Sequence, residues 1–264
     1  MLKNDKLLQI YNSFKYKSIH PYKYFILKNR YKKIRIKSFE ALKSIDFAID
    51  LSKDKNFKIF SQYKDEYLYL EKMINKKKEL VKEKYNVDIH GIHYPELIYF
   101  LIRLIKPTHV IETGVWLGLS TQFILSAGIK NEKNFMLDSI DLPRLNLENP
   151  EKFLGLLVNK ELKENWALHI GTDRQKLRKL LKKSPAEIFY FDSDKTHNGK
   201  MYLYNTVKKY RDNYLMIFDD VEDNLFWFDK KIKLEQRVLI NYQNKYIGIM
   251  YTNKFKDKLQ VLYE

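Results

Sequence analysis

The chain contains no cysteine among its 264 residues, and it has only eight glycines and six prolines. Without cysteine there is no disulfide framework, no thiolate metal site and no cysteine nucleophile. No sustained apolar segment follows Met1, which predicts a protein that is cytoplasmic and not secreted. The longest apolar run, Tyr94 to Ile105, is interrupted by Glu96 and Arg103 and is too short to span a bilayer. The composition therefore predicts a soluble globular protein.

Acidic side chains are scarce relative to basic ones, at 33 against 49, and the formal net charge is +16. One interpretation is an anionic partner, such as nucleic acid, a nucleotide-linked sugar or a membrane surface. The other is a composition set by an AT-rich genome, whose codons favour lysine. Lysine far outnumbers arginine, although arginine is the better bidentate phosphate ligand, so the second interpretation is favoured.

Residues 1–85 contain no glycine and repeat apolar residues at helical spacing, for example in Phe39 to Leu51 and Tyr67 to Tyr85. Between Lys15 and Lys37 the charges are almost purely basic. We expect a helical, basic N-terminal region that caps the core. A substrate lid and a docking surface for an anionic partner are the alternatives. Residues 86–264 are expected to form the main domain.

From about His90 onward, apolar strands alternate with helical segments, which predicts an α/β fold with a mostly parallel sheet. Two final strands, joined by Gln243-Asn244-Lys245, predict an antiparallel terminal hairpin, and Lys258 to Tyr263 could add a further strand. The predicted strands are Val110–Thr113, Phe135–Leu142, Trp166–Ile170, Glu187–Phe191, Tyr214–Phe218, Arg237–Tyr242 and Tyr246–Thr252. The predicted helices are Tyr94–Ile105, Leu119–Ala127 ending at Gly128, a segment near Pro150–Leu162, Arg174–Lys183 and Gly199–Arg211.

A glycine loop follows the first of these strands in the pattern E-x-G-x-x-x-G-x-S, formed by Glu112, Gly114, Gly118 and Ser120. An acid and a glycine turn at the carboxyl end of a strand indicate a cofactor crevice. A dinucleotide loop needs glycine two positions after the first glycine, but Trp116 stands there and would crowd a diphosphate. The loop therefore fits a cofactor without phosphates, S-adenosylmethionine, better than NAD.

Acids also end two later strands, Asp192 the fourth and Asp219 with Asp220 the fifth. If those strands are neighbours, the three carboxylates converge at one edge of the crevice and repel one another unless a cation or protons neutralise them. All-oxygen ligation suits Mg²⁺ better than Zn²⁺. The alternative is that these acids only end strands and cap the helices that follow.

The region from about residue 90 to 252 resembles class I S-adenosylmethionine-dependent methyltransferases, with a Rossmann-like sheet. It is most similar to metal-dependent O-methyltransferases that act on catechols, caffeoyl-CoA and macrolide sugars. The resemblance implies that Asp141 binds the ribose hydroxyls, with Asp138 as the competing candidate. Asp173 would lie in the adenine-side loop, or it caps the following helix. The remaining implied cofactor-binding residues are Glu112, Gly114, Gly118 and Ser120 at the methionine end and Gly171 in the adenine-side loop.

The segment from Ile188 to His197 resembles the family's apolar strand followed by D-G-D-H-S-Y. The resemblance implies a metal site formed by Asp192, Asp219 and Asp220. Lys195 stands where sugar-type members carry the histidine base and catechol-type members carry lysine, so Lys195 is the first candidate for general base. His197 is the second candidate, and Asp192 is included among the catalytic residues.

The leading functional hypothesis is O-methylation of a small or sugar-like hydroxyl compound with S-adenosylmethionine and Mg²⁺. An RNA or DNA methyltransferase is the first alternative, although no N-P-P-Y-like motif follows strand four. The second is a non-catalytic cofactor-binding protein that docks on an anionic partner. The aromatic segment Val221 to Phe228 is expected over the acceptor pocket or in the core. Whether the chain forms a homo-oligomer is left open.

Overall fold

The computed structural model describes residues 21–43, 48–50, 58–87, 89, 94–144, 147–232, 236–242, 245–260 and 262. Within them, helices and strands alternate from Pro95 onward, as the sequence predicts. The helices are α1 (Pro21–Lys43), α2 (Lys58–Tyr85), α3 (Pro95–Ile105), α4 (Leu119–Asn131), α5 (Asp173–Leu181), α6 (His197–Tyr210) and α7 (Lys256–Gln260). The strands are β1 (Ala48–Asp50), β2 (His109–Thr113), β3 (Met136–Asp141), β4 (Trp166–Ile170), β5 (Ile188–Phe191), β6 (Leu215–Phe218), β7 (Gln236–Tyr242) and β8 (Lys245–Tyr251).

The described strands form one sheet in the order β1-β7-β8-β6-β5-β2-β3-β4. Strand β8 pairs antiparallel with β6 and β7, and the other neighbours are parallel. The chain builds outward from β2 through β3 to β4 and then returns to place β5 on the other side of β2. This reversal makes the carboxyl ends of β2 and β5 the switch point, where open α/β sheets bind ligands. The predicted α/β fold with an antiparallel terminal hairpin is confirmed.

Helices cover both faces of the sheet because most strands are apolar on both sides. Buried side chains of α2, α3 and α4 share one cluster with residues of β2, β3 and β8. A second cluster joins α5 and α6 to the other face, and Leu42 at the end of α1 belongs to it. None of the described helices is both long enough and apolar enough to cross a membrane.

Two predicted helices differ from the structure, and a glycine is involved in each difference. Helix α4 continues past Gly128 to Asn131, and a Cβ at Gly128 would lie 2.4 Å from the Phe135 ring, so this glycine makes room for an aromatic side chain. The segment near residues 150–162 forms two short 3₁₀ helices instead of one helix. Gly155 between them has φ of +68°, a left-handed conformation that ends a regular helix.

The two ends of the chain also depart from the predicted elements. Helix α1 ends at Lys43, and residues 48–50 form strand β1 beside β7, where a continuous helical pattern had been expected. The predicted strand from residue 258 is wrong: α7 covers residues 256–260. Phe255, Leu259 and Leu262 are buried at a spacing of four and three, which is helical. The predictions made for residues 1–20, 51–57, 243 and 244 lie outside the described residues.

Helix α2 packs against α3 and α4 through aromatic contacts. The ring of Tyr67 stacks on Phe123 at 5.7 Å and contacts Tyr99 at 5.9 Å. Its side chain is 6% exposed, whereas Tyr69 on the opposite side of the helix is 70% exposed. Helix α2 is therefore part of the core that supports the sheet.

We expect Tyr67→Ala to lower the free energy of unfolding by about 3 kcal/mol, because it leaves a cavity among buried rings. Tyr69→Ala on the same helix is the matched control and should change stability by less than about 0.5 kcal/mol. Urea unfolding followed by circular dichroism measures both. A loss in the Tyr67 variant no larger than that of the control, or a separate transition for α2, would contradict the shared core.

Candidate active site

The glycine loop between β2 and α4 passes directly against the end of β5. Gly114 has φ of +87°, and a Cβ there would lie 2.7 Å from the backbone carbon and oxygen of Asp192. Gly118 has φ of +83°, and a Cβ there would lie 2.7 Å from the Cα of Gly155. Glycine is thus required at both positions, because the backbone is left-handed there and a neighbouring backbone segment leaves no room for a Cβ. Trp116 between them adopts φ of +48°, a strained conformation for a bulky residue.

Glu112 lies fully buried beneath this loop. Its carboxylate oxygens accept hydrogen bonds from the hydroxyls of Ser120 (2.5 Å), Thr121 (2.7 Å) and Ser139 (2.7 Å). Burial raises its pKa to about 7, against the lowering effect of these hydrogen bonds. The described contacts of Glu112 are internal, and they fix the start of α4 to β2 and β3. Ser120 also lines the cavity described below.

Asp141, at the end of β3, holds the loop from the other side. Its Oδ2 accepts hydrogen bonds from the backbone amides of Val115 (2.8 Å) and Trp116 (2.6 Å). Asp138, the competing candidate, lies within the strand and bridges the Nε2 atoms of His109 (2.7 Å) and His169 (2.5 Å). Of the two, Asp141 lines the cavity at the carboxyl edge of the sheet.

The turn after β4 begins at Gly171, whose amide donates to the carbonyl of Asp141 at 2.9 Å. Thr172 caps α5 and forms a capping box with Gln175, so the alternative that Asp173 is the cap is wrong. Asp173 instead accepts a hydrogen bond from the Ser193 hydroxyl at 2.6 Å. Burial raises its pKa to about 6.

The acids that end β5 and β6 meet at one edge, as predicted from neighbouring strands. Asp192, Asp219 and Asp220 each offer an oxygen within 4.8 Å of the others, and in the described part of the chain they form the acidic cluster able to hold a metal ion. Burial and the neighbouring Asp219 raise the pKa of Asp192 well above its ordinary value. Carboxylates this close repel one another, and a cation or bound protons relieve that repulsion.

The ammonium group of Lys195 lies among these carboxylates. Its Nζ is 2.6 Å from Asp192 and 3.6 Å from Asp219, and it also pairs with Asp220. Burial alone would lower the pKa of Lys195, but the three carboxylates outweigh it and raise that pKa far above its ordinary value. In this arrangement Lys195 is a protonated counter-ion.

Three further residues that the sequence did not single out hold the acidic cluster. The buried ammonium of Lys200 donates to the backbone oxygens of Asp219 (2.7 Å) and Asp220 (2.5 Å). Asp220 has φ of +47°, so Lys200 stabilises a strained backbone. Lys245 pairs with the Asp220 carboxylate at 3.0 Å, and the buried Tyr94 hydroxyl donates to that of Asp219. Lys200 lies one helical turn after Thr196, the N-cap of α6, and this spacing is the sequence signal that points to it.

His197 lies away from this cluster, at the start of α6. Its Nε2 is 2.8 Å from Asp229, and it is not among the residues that line the cavity. The aromatic segment after the acids divides in two. Phe226 and Trp227 are fully buried, whereas Phe228 is 37% exposed. The first two belong to the core, which was one of the two alternatives.

A cavity of about 450 Å³ opens between the glycine loop and the acidic cluster. Lys195 lies in its wall, and Leu142 and Arg144 stand after the β3 acid. The guanidinium of Arg144 lies 3.6 Å from the centre of the Trp116 ring. Predicted site residues that line the cavity are Gly114, Ser120, Asp141, Asp192, Lys195, Asp219 and Asp220.

Comparison with known proteins agrees with this architecture. Residues 111–221 match the family model described as a methyltransferase domain. No curated protein matches the chain. Solved structures are similar at low identity: an O-methyltransferase from Bacillus cereus in complex with SAH gives a TM-score of 0.53 at 14% identity, covering 68% of this chain and 89% of that one.

Two further structures give the same result. A methyltransferase from Geobacter sulfurreducens gives a TM-score of 0.51 at 17% identity, covering 67% of this chain and 88% of that one. An SAH-bound methyltransferase from Podospora anserina gives 0.52 at 11% identity, covering 73% and 96%. At such identities the likeness establishes the fold. The family match adds that residues 111–221 are similar to a methyltransferase domain.

The titration of Glu112 generates a stability prediction. Its folded pKa of about 7 exceeds the ordinary 4.5, so the folded protein keeps a proton that the unfolded chain releases. The stability that this proton contributes is complete below about pH 4.5 and is lost, by about 3 kcal/mol, as the pH rises to about 7. Glu112→Gln cannot ionise and should therefore gain stability relative to the unmodified protein between pH 5 and pH 8.

Urea unfolding of the cofactor-free protein at pH 5, 6, 7 and 8 measures this difference. Glu132→Gln, at an exposed position, is the matched control and should follow the unmodified protein at every pH. A stability difference between the Glu112 variant and the unmodified protein that does not change with pH would disprove the raised pKa.

Proposed function

We propose that this protein transfers the methyl group of S-adenosylmethionine to a hydroxyl oxygen of a small or sugar-like acceptor, assisted by a divalent cation. The observation that carries the proposal is the placement of Asp192, Asp219 and Asp220 in the wall of the cavity that the glycine loop borders. A cofactor crevice and a cluster of oxygen ligands at one sheet edge are the two parts that metal-assisted O-methylation needs.

The cofactor would lie along the glycine loop. The cavity wall there includes Gly114 and Ser120, and Asp141 and Leu142 follow at the end of β3. Asp141 Oδ2 already accepts hydrogen bonds from two backbone amides of the loop. Ribose hydroxyls would therefore donate to the lone pairs of the Asp141 carboxylate that are still free. Glu112 supports the loop from beneath. The SAH-bound relatives support this use of the crevice.

The acidic cluster fits a divalent cation by its chemistry. All three ligands are carboxylate oxygens, which suits Mg²⁺, and burial together with the neighbouring Asp219 raises the pKa of Asp192. When bound, such an ion would lower the pKa of the acceptor hydroxyl and orient it. Tyr94 and Lys200 hold the ligands in place through the Asp219 carboxylate and the backbone, respectively.

Lys195 remains the first candidate for general base. The carboxylates now hold its proton, so it could accept one only after another cation has taken over their charge. Its side chain is 37% exposed, which leaves its flexible stem room to move toward the cavity. The second candidate, His197, is engaged by Asp229.

We expect calorimetric titration of metal-stripped protein with S-adenosylhomocysteine, followed by Mg²⁺, to give two separate binding heats. Asp219→Asn should keep the first and weaken Mg²⁺ at least about tenfold, because one anionic ligand is lost. Asp212→Asn, an exposed acid outside the cavity, is the matched control. Absence of S-adenosylhomocysteine binding would refute the cofactor assignment, and equal Mg²⁺ affinity in both variants would refute the metal site.

Turnover tests the reaction itself. With 3,4-dihydroxybenzoate as probe acceptor and labelled S-adenosylmethionine, methyl transfer should require Mg²⁺ and fall at least about 100-fold in Lys195→Met, because proton removal is lost. Lys256→Met serves as the control lysine. Transfer that is unaffected by EDTA would contradict metal assistance.

A further inference from the structure

A second concave surface lies on the outside of the sheet, between α5 and α6. It is an open groove of about 450 Å³, within the size range of small-molecule sites. Its lining combines basic, amide and phenol groups, contributed by Arg174, Arg178, Asn198, Tyr202, Asn205 and Lys209. None of these residues has a part in the methyl-transfer site.

The groove carries an excess of positive charge. Among its lining residues are two arginines and a lysine and no carboxylate, and none of the three makes an ion pair within the described part of the chain. Helix α6 contains no acidic residue, and α5 contains only Asp173. The Asp173 carboxylate accepts a hydrogen bond from Ser193. Arg174 acts electrostatically on Asp173, so an anion entering the groove would meet Arg178 and Lys209 as the cations that have no acidic partner among the described residues.

Tyr202 organises the two guanidinium groups. The guanidinium carbon of Arg174 lies 4.5 Å from the centre of the Tyr202 ring, and that of Arg178 lies 5.8 Å away. Stacking on one ring restrains both arginines and so reduces the entropy lost on binding. The Tyr202 hydroxyl is buried and, among the described residues, has no hydrogen-bond partner. Such a group gains free energy from any acceptor that reaches it.

From this juxtaposition we propose that the α5–α6 groove binds the phosphoryl group of a small phosphorylated ligand. Two guanidinium forks, a phenol donor and amide side chains match the several acceptor oxygens of a phosphoryl group. Arg174 and Asn198 stand in the first turns of α5 and α6, at the same sheet edge as the cavity. The bound ligand lies beside the catalytic centre, one residue from Asp173, which contacts Ser193 of the cavity wall. The groove is independent of the proposed O-methylation.

Calorimetric titration with inorganic pyrophosphate tests the groove. EDTA removes divalent metal, and saturating S-adenosylhomocysteine blocks the cofactor crevice. We expect one site per chain, with affinity at least about tenfold weaker in Arg178→Gln and about threefold weaker in Tyr202→Phe, because each loses donors to the anion. Lys179→Gln removes the same charge from the adjacent exposed position outside the groove and should weaken binding less than about twofold.

The outcomes are distinguishable. Equal weakening by Arg178→Gln and Lys179→Gln would show a general effect of surface charge and overturn the site. No pyrophosphate binding, with an Arg178-dependent affinity for a ten-nucleotide single strand, would assign the groove to polynucleotide and overturn the small ligand. Because Arg178 is exposed and Tyr202→Phe keeps the ring, both variants should fold, and their melting temperatures check this.

Discussion

The contact between Gly114 and the backbone of Asp192 is the constraint on which the site depends. It lies where the chain reverses direction in the sheet, between the parallel strands β2 and β5. Any side chain at Gly114 would push the glycine loop from the end of β5. Because Asp192 continues directly from that strand end, the loop and the acidic cluster occupy one cavity. Their relative position is set by backbone packing, which is stiffer than contacts between long side chains.

The negative charge of the acidic cluster at that edge is the second constraint. Three lysines stabilise the cluster, each through different contacts. Lys195 lies among the carboxylates and has its pKa raised by them. Lys245 pairs with Asp220 and with Glu222 (3.2 Å), so its charge is committed to the outer side of the cluster. Lys200 binds backbone oxygens, and burial lowers its pKa. Of the three, Lys195 is the most exposed, at 37% against 25% for Lys245, and it contacts all three acids, so it is the lysine that the proposed metal ion would displace.

The sequence was sufficient where local pattern and tertiary role coincide. Strand ends, the glycine turn and the acids at Asp192 and Asp219 follow from period and position, because parallel strands bring their carboxyl ends together. Prediction from the sequence failed where the role of a residue depends on a contact with a residue outside its own helix or strand. Gly128 resembles a helix stop, yet it makes room for Phe135. Likewise, the Ser139 hydroxyl donates to the Glu112 carboxylate from 27 residues further along the chain, a contact that the sequence did not predict. Neither contact follows from a local spacing.

The N-terminal helices connect to both halves of the site, which explains why the chain keeps them against the core. Helix α1 reaches the loop after the acids, where the Ser38 hydroxyl donates to the Asn224 carbonyl (2.5 Å) and Arg35 pairs with Asp223 at 3.1 Å. Helix α2 reaches the other side through Lys77, which donates to the carbonyl of Leu157 at 2.9 Å. The amide of Leu157 in turn donates to Leu117 of the glycine loop at 2.8 Å. A displacement of either helix would therefore move one wall of the cavity.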